Sequence, residues 1–296
     1  MTSNAEMTQA QPANAHPGKT RPGKAQPPAS DDADSHEARA IVLDQISQTF
    51  VADSGQPVEA LRDVSFTVDA GGFISVVGPS GCGKSTLLNV ISGLLRPTAG
   101  RVTVGGREVK TIRNDVQFMQ AHDTLLPWRT VLRNVEFPLQ YQSLSKQERR
   151  SRARETLAAL GLGEFEDAYP YQLSQGMRQR VAIARTFATR ASIVLMDEPF
   201  SALDSQTRVL VQDMFLRAWE RDHPTVVLIT HDIAEAVALS DSVVVFSDRP
   251  GTVISNHRID LPRPRSVEKL IFEDAVFQQY MRTIWSEIRT SIPTDR

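Results

Sequence analysis

The sequence predicts an α/β fold in which a parallel sheet is accompanied by antiparallel strands near its start and interrupted by a helical insertion. Three observations predict it. Short apolar runs bounded by turn residues (Phe73–Val77, Ser192–Met196, Val226–Ile229 and Val243–Phe246) suit strands buried on both faces. Helical stretches (Lys84–Leu95, Ser205–Asp222 and Ile233–Leu239) alternate with them, as parallel strands require. The region from about Asp123 to Arg190, which includes the charged helix Lys146–Leu160, carries few strand signals.

In chain order, residues 1–39 are rich in Ala, Pro, Gln, Asn and Gly and run from basic (Lys19, Arg21, Lys24) to acidic (Asp31, Asp32, Asp34). Such a segment buries too little apolar surface to offset its ordering entropy, so a disordered tail is expected. A single folded domain is expected over 40–260. Its first strands are Ile41–Leu43 and Val64–Val68, the second alternating in and out. The helix opening at Lys84 stops before Pro97. Val102–Gly106 reads as a strand entering a tight turn. Residues 261–296 begin with Leu261, Pro262, Arg263, Pro264 and Arg265 and continue as a helical extension.

Composition narrows the functional classes. With 33 basic and 35 acidic side chains the net charge is -2, which gives no basic excess for a nucleic-acid partner. A single cysteine makes no internal disulfide, and a reducing compartment is the simpler expectation. No stretch approaches the roughly 20 apolar residues of a membrane helix, and the N-terminus lacks the apolar core of a secretion signal. Any service to a membrane is therefore expected from its water side, through partners.

Gly78, Pro79, Ser80, Gly81, Cys82, Gly83, Lys84, Ser85 and Thr86 fit the P-loop pattern in full, after a buried strand and at the opening of a helix. Glycines let several backbone N–H groups converge on phosphate, and the helix N-terminus adds positive potential. Lys84 is expected to reach the β and γ phosphates of ATP, and Ser85 to ligate Mg²⁺. Cys82, at a variable position, reads as a small filler. Asp197 and Glu198 end a buried strand, where carboxylates are costly unless they meet a cation or a proton. Asp197 is expected to hold Mg²⁺ and Glu198 to polarise the attacking water. His231 follows the next strand, at the end where parallel-sheet sites form.

Leu173–Arg180 resembles the signature motif of ABC ATPases, often written LSGGQ, and departs from its commonest form at Gln175 and Met177. The resemblance implies that Ser174, Gln175 and Gly176 reach the ATP of an opposite subunit. It further implies that Gln120 is the Q-loop glutamine sensing Mg²⁺ and water, that Asp204 in Ser201–Asp204 belongs to a loop crossing the dimer interface, and that His231 is the switch histidine. Phe50 is similar to the aromatic that stacks on adenine, where Tyr is more usual; a core Phe is the alternative. The resemblance covers about Ile41 to Leu261.

Within the family, Leu125–Val131, Asp248–Ile254 and Leu261–Arg265 are similar to segments of nitrate, sulfonate and taurine importers. The implied protein is a homodimeric ATPase on the cytoplasmic face of the inner membrane. It would serve two permease subunits and, indirectly, an extracytoplasmic solute-binding protein. Leu126, Pro127 and Trp128 are expected either to dock a permease or to pack inside the helical part. The alternatives are a subunit for another solute or lipid, an exporter subunit, a soluble ABC ATPase acting on nucleic acid or ribosomes, and a regulatory module that no longer hydrolyses ATP.

Overall fold

A computed structural model describes residues 39–113, 115–120 and 124–291. The predicted disordered tail lies outside them, apart from Arg39. Strands β1 (Arg39–Val51) and β2 (Pro57–Asp69) form a long antiparallel pair, extended on the β1 side by β4 (Ala99–Val104) and β5 (Arg107–Glu108). The second sheet has six strands in the order β10-β9-β3-β8-β7-β6. Its members are β3 (Phe73–Val77), β6 (Val116–Met119), β7 (Ile193–Asp197), β8 (Thr225–Ile229), β9 (Ser242–Phe246) and β10 (Val253–Arg258). All pairings are parallel except that of the edge strand β10 with β9.

The six-stranded sheet is the wall shared by two apolar cores. Phe73 and Val77, with Val226 and Leu228, face a core built on the helices of the middle and C-terminal parts. Ile74 and Val76, with Val227 and Ile229, face a second core closed by the antiparallel sheet and α1 (Lys84–Ile91). Because neither face meets water, these strands are almost wholly apolar, the pattern by which they were legible, and the buried Ser75 of β3 is hydrogen-bonded to Ser240.

Between β6 and β7 the chain forms α2 (Val131–Leu139), α3 (Lys146–Ala159) and α4 (Gln175–Ala188). A capping box opens α3: Ser145 N–H donates to Glu148 Oε2 at 2.7 Å, and Glu148 N–H to Ser145 Oγ at 3.3 Å. Helices α5 (Ser205–Asp222) and α6 (Ile233–Leu239) match the predicted spans. The helix expected over Lys84–Leu95 is shorter, ending at Ile91. Gly93 there has φ 77°, and any Cβ on it would lie 2.4 Å from the Thr111 carbonyl oxygen. Three strands were not expected, β5, β6 and β10. All are sheet edges whose side chains are mostly part or fully exposed, so none shows a long apolar run.

The C-terminal helices α7 (Val267–Glu273) and α8 (Ala275–Ser291) join the core through Val267, Leu270, Phe277 and Ile284, and the Pro-Arg segment leading into them is fastened by its two arginines. Arg263 donates to Asp241 Oδ1 at 2.7 Å and lies over the Trp219 ring at 4.2 Å. Arg265 is 8% exposed and donates to the carbonyls of Ala238, Ser240, Ile259 and Leu261. Burial and the neighbouring Arg263 lower its pKa to about 10. Among the described residues no helix is long and apolar enough to cross a membrane.

Replacing Arg265 by Met should leave these four carbonyls without their donor in a dry site. The expected loss is about 2–4 kcal/mol, read as a lower denaturant midpoint. An unchanged midpoint would show that the clamp does not hold the C-terminal helices.

Candidate active site

Three parallel strands end side by side, and their carboxyl ends carry the site. The register sets Val76 of β3 and Asp197 of β7 level with Ile229 of β8. The chain beyond each therefore emerges on one edge: the P-loop after β3, Glu198 after β7 and His231 after β8. His231 Nδ1 lies 3.3 Å from Glu198 Oε1. Glu198 takes φ 47°, unusual for a residue with a side chain, and its N–H donates to the Ile229 carbonyl at 2.8 Å. That strained backbone turns the carboxylate out of the strand line towards the P-loop.

At the start of α1, Gly83 has φ 101°, and any Cβ would lie 2.6 Å from the Ala60 carbonyl oxygen. Only glycine fits this bend, which lets the loop run into the helix N-terminus. Lys84 is 6% exposed, and its Nζ donates to the carbonyls of Gly78 and Pro79 at 2.8 Å each. The ammonium is thus held at the loop by weak neutral acceptors that an anionic phosphate would outcompete. Cys82 is fully buried, and burial pushes its thiol pKa up. This fits a filler and not a nucleophile.

Burial raises the pKa of Asp197, while a hydrogen bond from Ser85 and the charge of Lys84 oppose the rise. Among the described residues no cluster of three or more His, Cys, Asp or Glu could hold a metal alone. The Ser85 hydroxyl and Asp197 carboxylate are a pair of hard oxygen donors, the set that suits Mg²⁺ completing its shell with phosphate and water. Gln120 is exposed one residue past Met119, which pairs with Met196, so it sits beside Asp197 on the neighbouring strand.

A cleft of ≈ 270 Å³ opens along the P-loop, lined by Phe50, Ala60, Gly81, Lys84, Glu198 and Arg249 among others. Phe50 is 40% exposed at the end of β1 and so is not a core residue. Ser174, Gln175, Gly176 and Asp204 do not line this cleft. Ser174 caps α4, its Oγ accepting the Met177 N–H at 3.2 Å, and Ser174 and Gln175 are exposed. Gly176 packs against Thr207, where a Cβ would meet the Thr207 methyl at 2.8 Å. Asp204 caps α5 by accepting the Thr207 N–H at 3.0 Å, which holds its carboxyl below the usual range.

Sequence reasoning missed the groups behind the site. Arg208 donates to Asp232 Oδ2 at 3.0 Å and to the Leu203 carbonyl at 3.0 Å, joining the segment after Glu198 to the one carrying His231. Glu235 is buried on α6, accepts from Gln212 Nε2 at 2.9 Å, and has no partner for Oε1. Neither residue stands in a motif, and only the folded packing of α5 on α6 reveals them.

The chain matches the ABC transporter family over residues 61–201. It is 49% identical to an uncharacterized ABC transporter ATP-binding protein of Methanocaldococcus jannaschii over 74% of this chain and 82% of that protein. Identity is 46% with a taurine import ATP-binding protein of Rhizobium johnstonii, over 75% of this chain and 84% of the relative. With a nitrate import ATP-binding protein of Synechocystis it is 40%, over 83% and 94%. Among solved structures it resembles the ATP-binding cassette MJ0796, a dimer in a post-hydrolysis state bound to ADP and Pi. That likeness has TM-score 0.66 and 33% identity, covering 75% of this chain and all of the cassette.

Glu235 supplies a pH test. Burial and the nearby Asp232 push its pKa from 4.5 up to about 8 in the fold, against the pull of Thr230, Arg208 and Gln212. Below pH 4.5 it is protonated in both states; from there to about pH 8 only the unfolded chain ionises. Its contribution to stability is therefore full in acid and is lost as pH rises through that window. Glu235→Gln should gain on wild type by roughly 2 kcal/mol or more between pH 5 and pH 8 in denaturant titrations. Parallel pH profiles would mean that Glu235 is ionised in the fold.

Proposed function

This chain belongs to the ABC transporter ATP-binding family and hydrolyses ATP, and from that premise we propose that it powers import of a small solute of the nitrate, sulfonate or taurine type. It works as a homodimer bound peripherally to the cytoplasmic face of the inner membrane, on two permease subunits fed by an extracytoplasmic solute-binding protein. The observation that carries the reading is a division within one chain. The P-loop, Asp197, Glu198 and His231 share one edge of the sheet, whereas Ser174 and Gln175 stand exposed at another helix start, outside the cleft. A second copy placed head to tail brings its Ser174 and the N-terminus of its α4 to the phosphates held by Lys84.

In that arrangement Phe50 stacks on the base and the backbone of Gly78–Gly83 cradles the phosphates. Mg²⁺, when bound by Ser85 and Asp197 with Gln120 beside them, neutralises charge on the β and γ phosphates. Glu198 accepts a proton from the attacking water. His231, in contact with Glu198, orients that carboxylate and faces the γ phosphate. The Asp204 turn lies at the seam between copies. Nucleotide contacts both halves at once and so favours the closed dimer, and loss of phosphate removes the bridge. The proposed permease surface is Leu126, Pro127 and Trp128. Trp128 is 72% exposed, which favours docking over packing inside the helical part.

Glu198→Gln should bind ATP, accumulate as a closed dimer and lose at least about 100-fold in turnover, measured by phosphate release and light scattering. Unaltered turnover would remove Glu198 from the role of base. Trp128→Ala should leave ATP hydrolysis by the free subunit intact while abolishing its stimulation by solute in reconstituted vesicles. Normal coupling in that variant would rule out the docking surface.

A further inference from the structure

Resting on the nucleotide-site reading above, we infer that Arg249 is an additional nucleotide-binding residue, its guanidinium meeting the nucleotide at the α-phosphate, between the base and the P-loop. Its position follows from the register of β2. Val58 pairs with Phe50 at the base end of the cleft, and the Ala60 carbonyl lies against Gly83 at the phosphate end. Arg249 Nε reaches the carbonyl of Glu59, the residue between them, at 3.4 Å, and the side chain lines the same cleft.

The loop that carries it is built against the P-loop. The Gly251 N–H donates to the Ala60 carbonyl at 2.9 Å, and the Arg62 N–H to the Gly251 carbonyl at 3.0 Å. A Cβ on Gly251 would lie 2.1 Å from the Cys82 carbonyl oxygen, so nothing larger lets the two loops approach this closely. Ser247 ties the loop internally, donating to the Asp248 carbonyl at 2.9 Å and the Pro250 carbonyl at 3.1 Å and accepting the Thr252 N–H at 2.9 Å. The backbone of Arg249 is therefore fixed beside the cleft, and only its side chain is exposed.

Among the described residues its charge has no carboxylate partner there. The Glu59 carboxylate is engaged by Arg62, with Nε at 3.0 Å from both oxygens. Asp248 Oδ1 accepts the backbone N–H of Arg249 at 2.8 Å. Among the described residues no carboxylate lies within ion-pair distance of the Arg249 guanidinium. Lys84 serves the β and γ phosphates by the reading above, which leaves the α-phosphate without a side-chain cation on this chain. An arginine fork lining the cleft with its Nε bonded to the Glu59 carbonyl fits that oxygen pair.

The test is equilibrium titration of the full-length protein with fluorescent ADP and Mg²⁺, comparing wild type, Arg249→Ala, Arg249→Lys and Lys84→Ala. Arg249→Ala should weaken Kd by about three- to tenfold, the range for one charge-assisted hydrogen bond partly in solvent. It should also flatten the salt dependence of Kd, and Arg249→Lys should regain at least half of the lost affinity in logarithmic terms. A Kd for Arg249→Ala within 1.5-fold of wild type (about the titration error), or a Lys variant no better than Ala, overturns the proposal. If Lys84→Ala abolishes binding while Arg249→Ala does not move it, only Arg249 is misassigned. If wild type itself fails to bind ADP, the underlying site reading fails.

Discussion

A sheet buried on both faces has nowhere to place charge except at the ends of its strands. That constraint organises this molecule. The middle strands β3, β7 and β8 are packed between two cores and carry no charge until Asp197 at the end of β7; their buried polar side chains, Ser75 and Thr225, are neutral and hydrogen-bonded, to Ser240 and to the Gly71 N–H. Lys84, Asp197, Glu198 and His231 all lie where those strands run out, at one edge, because all three run in the same direction. The groups of the proposed site, distant in sequence, are thus assembled by backbone hydrogen bonding, with the loops needing only to turn correctly.

The turns are where local cost is concentrated. Glu198 sits in a backbone conformation that side chains avoid, and Gly83 in one that only glycine adopts readily. The bond from Glu198 N–H to the Ile229 carbonyl holds the first, and the backbone of β2 shapes the second. Arg208 adds a link behind them, so the segments following β7 and β8 are fastened together as well as paired. The stability of the cores supports this arrangement. At Glu235 the fold keeps a carboxyl neutral so that α6, which begins just after His231, can be buried.

The parts legible in the sequence were those with a strong local signal. Buried parallel strands are mostly apolar, so Phe73–Val77 and the runs ending at Met196 and Ile229 could be read directly. The spacing of Gly78, Gly83, Lys84 and Ser85 is tied to a backbone shape, and no neighbour is needed to recognise it. The edge strands Val116–Met119 and Val253–Arg258 were missed because their half-exposed faces resemble loop composition. Leu261–Arg265 was readable only as a resemblance. Its physical work, with Arg265 satisfying four carbonyls, two of them more than 20 positions away, leaves no periodic trace. Arg249 stood in a quoted segment, yet its place in the cleft follows only from the contact of Gly251 with β2.

One chain offers a cleft edged by Lys84 and Glu198, and a separate helix start capped by Ser174 that lies outside it. The account joins them through a second copy. The most direct measurement is cross-linking of a Ser80→Cys, Gln175→Cys variant with a short thiol-specific bifunctional reagent. Both positions are exposed, and the native Cys82 is buried. The account predicts a covalent dimer that forms with Mg-ATP when hydrolysis is blocked and not in its absence. A yield indifferent to nucleotide, or a link formed only within single chains, would contradict it.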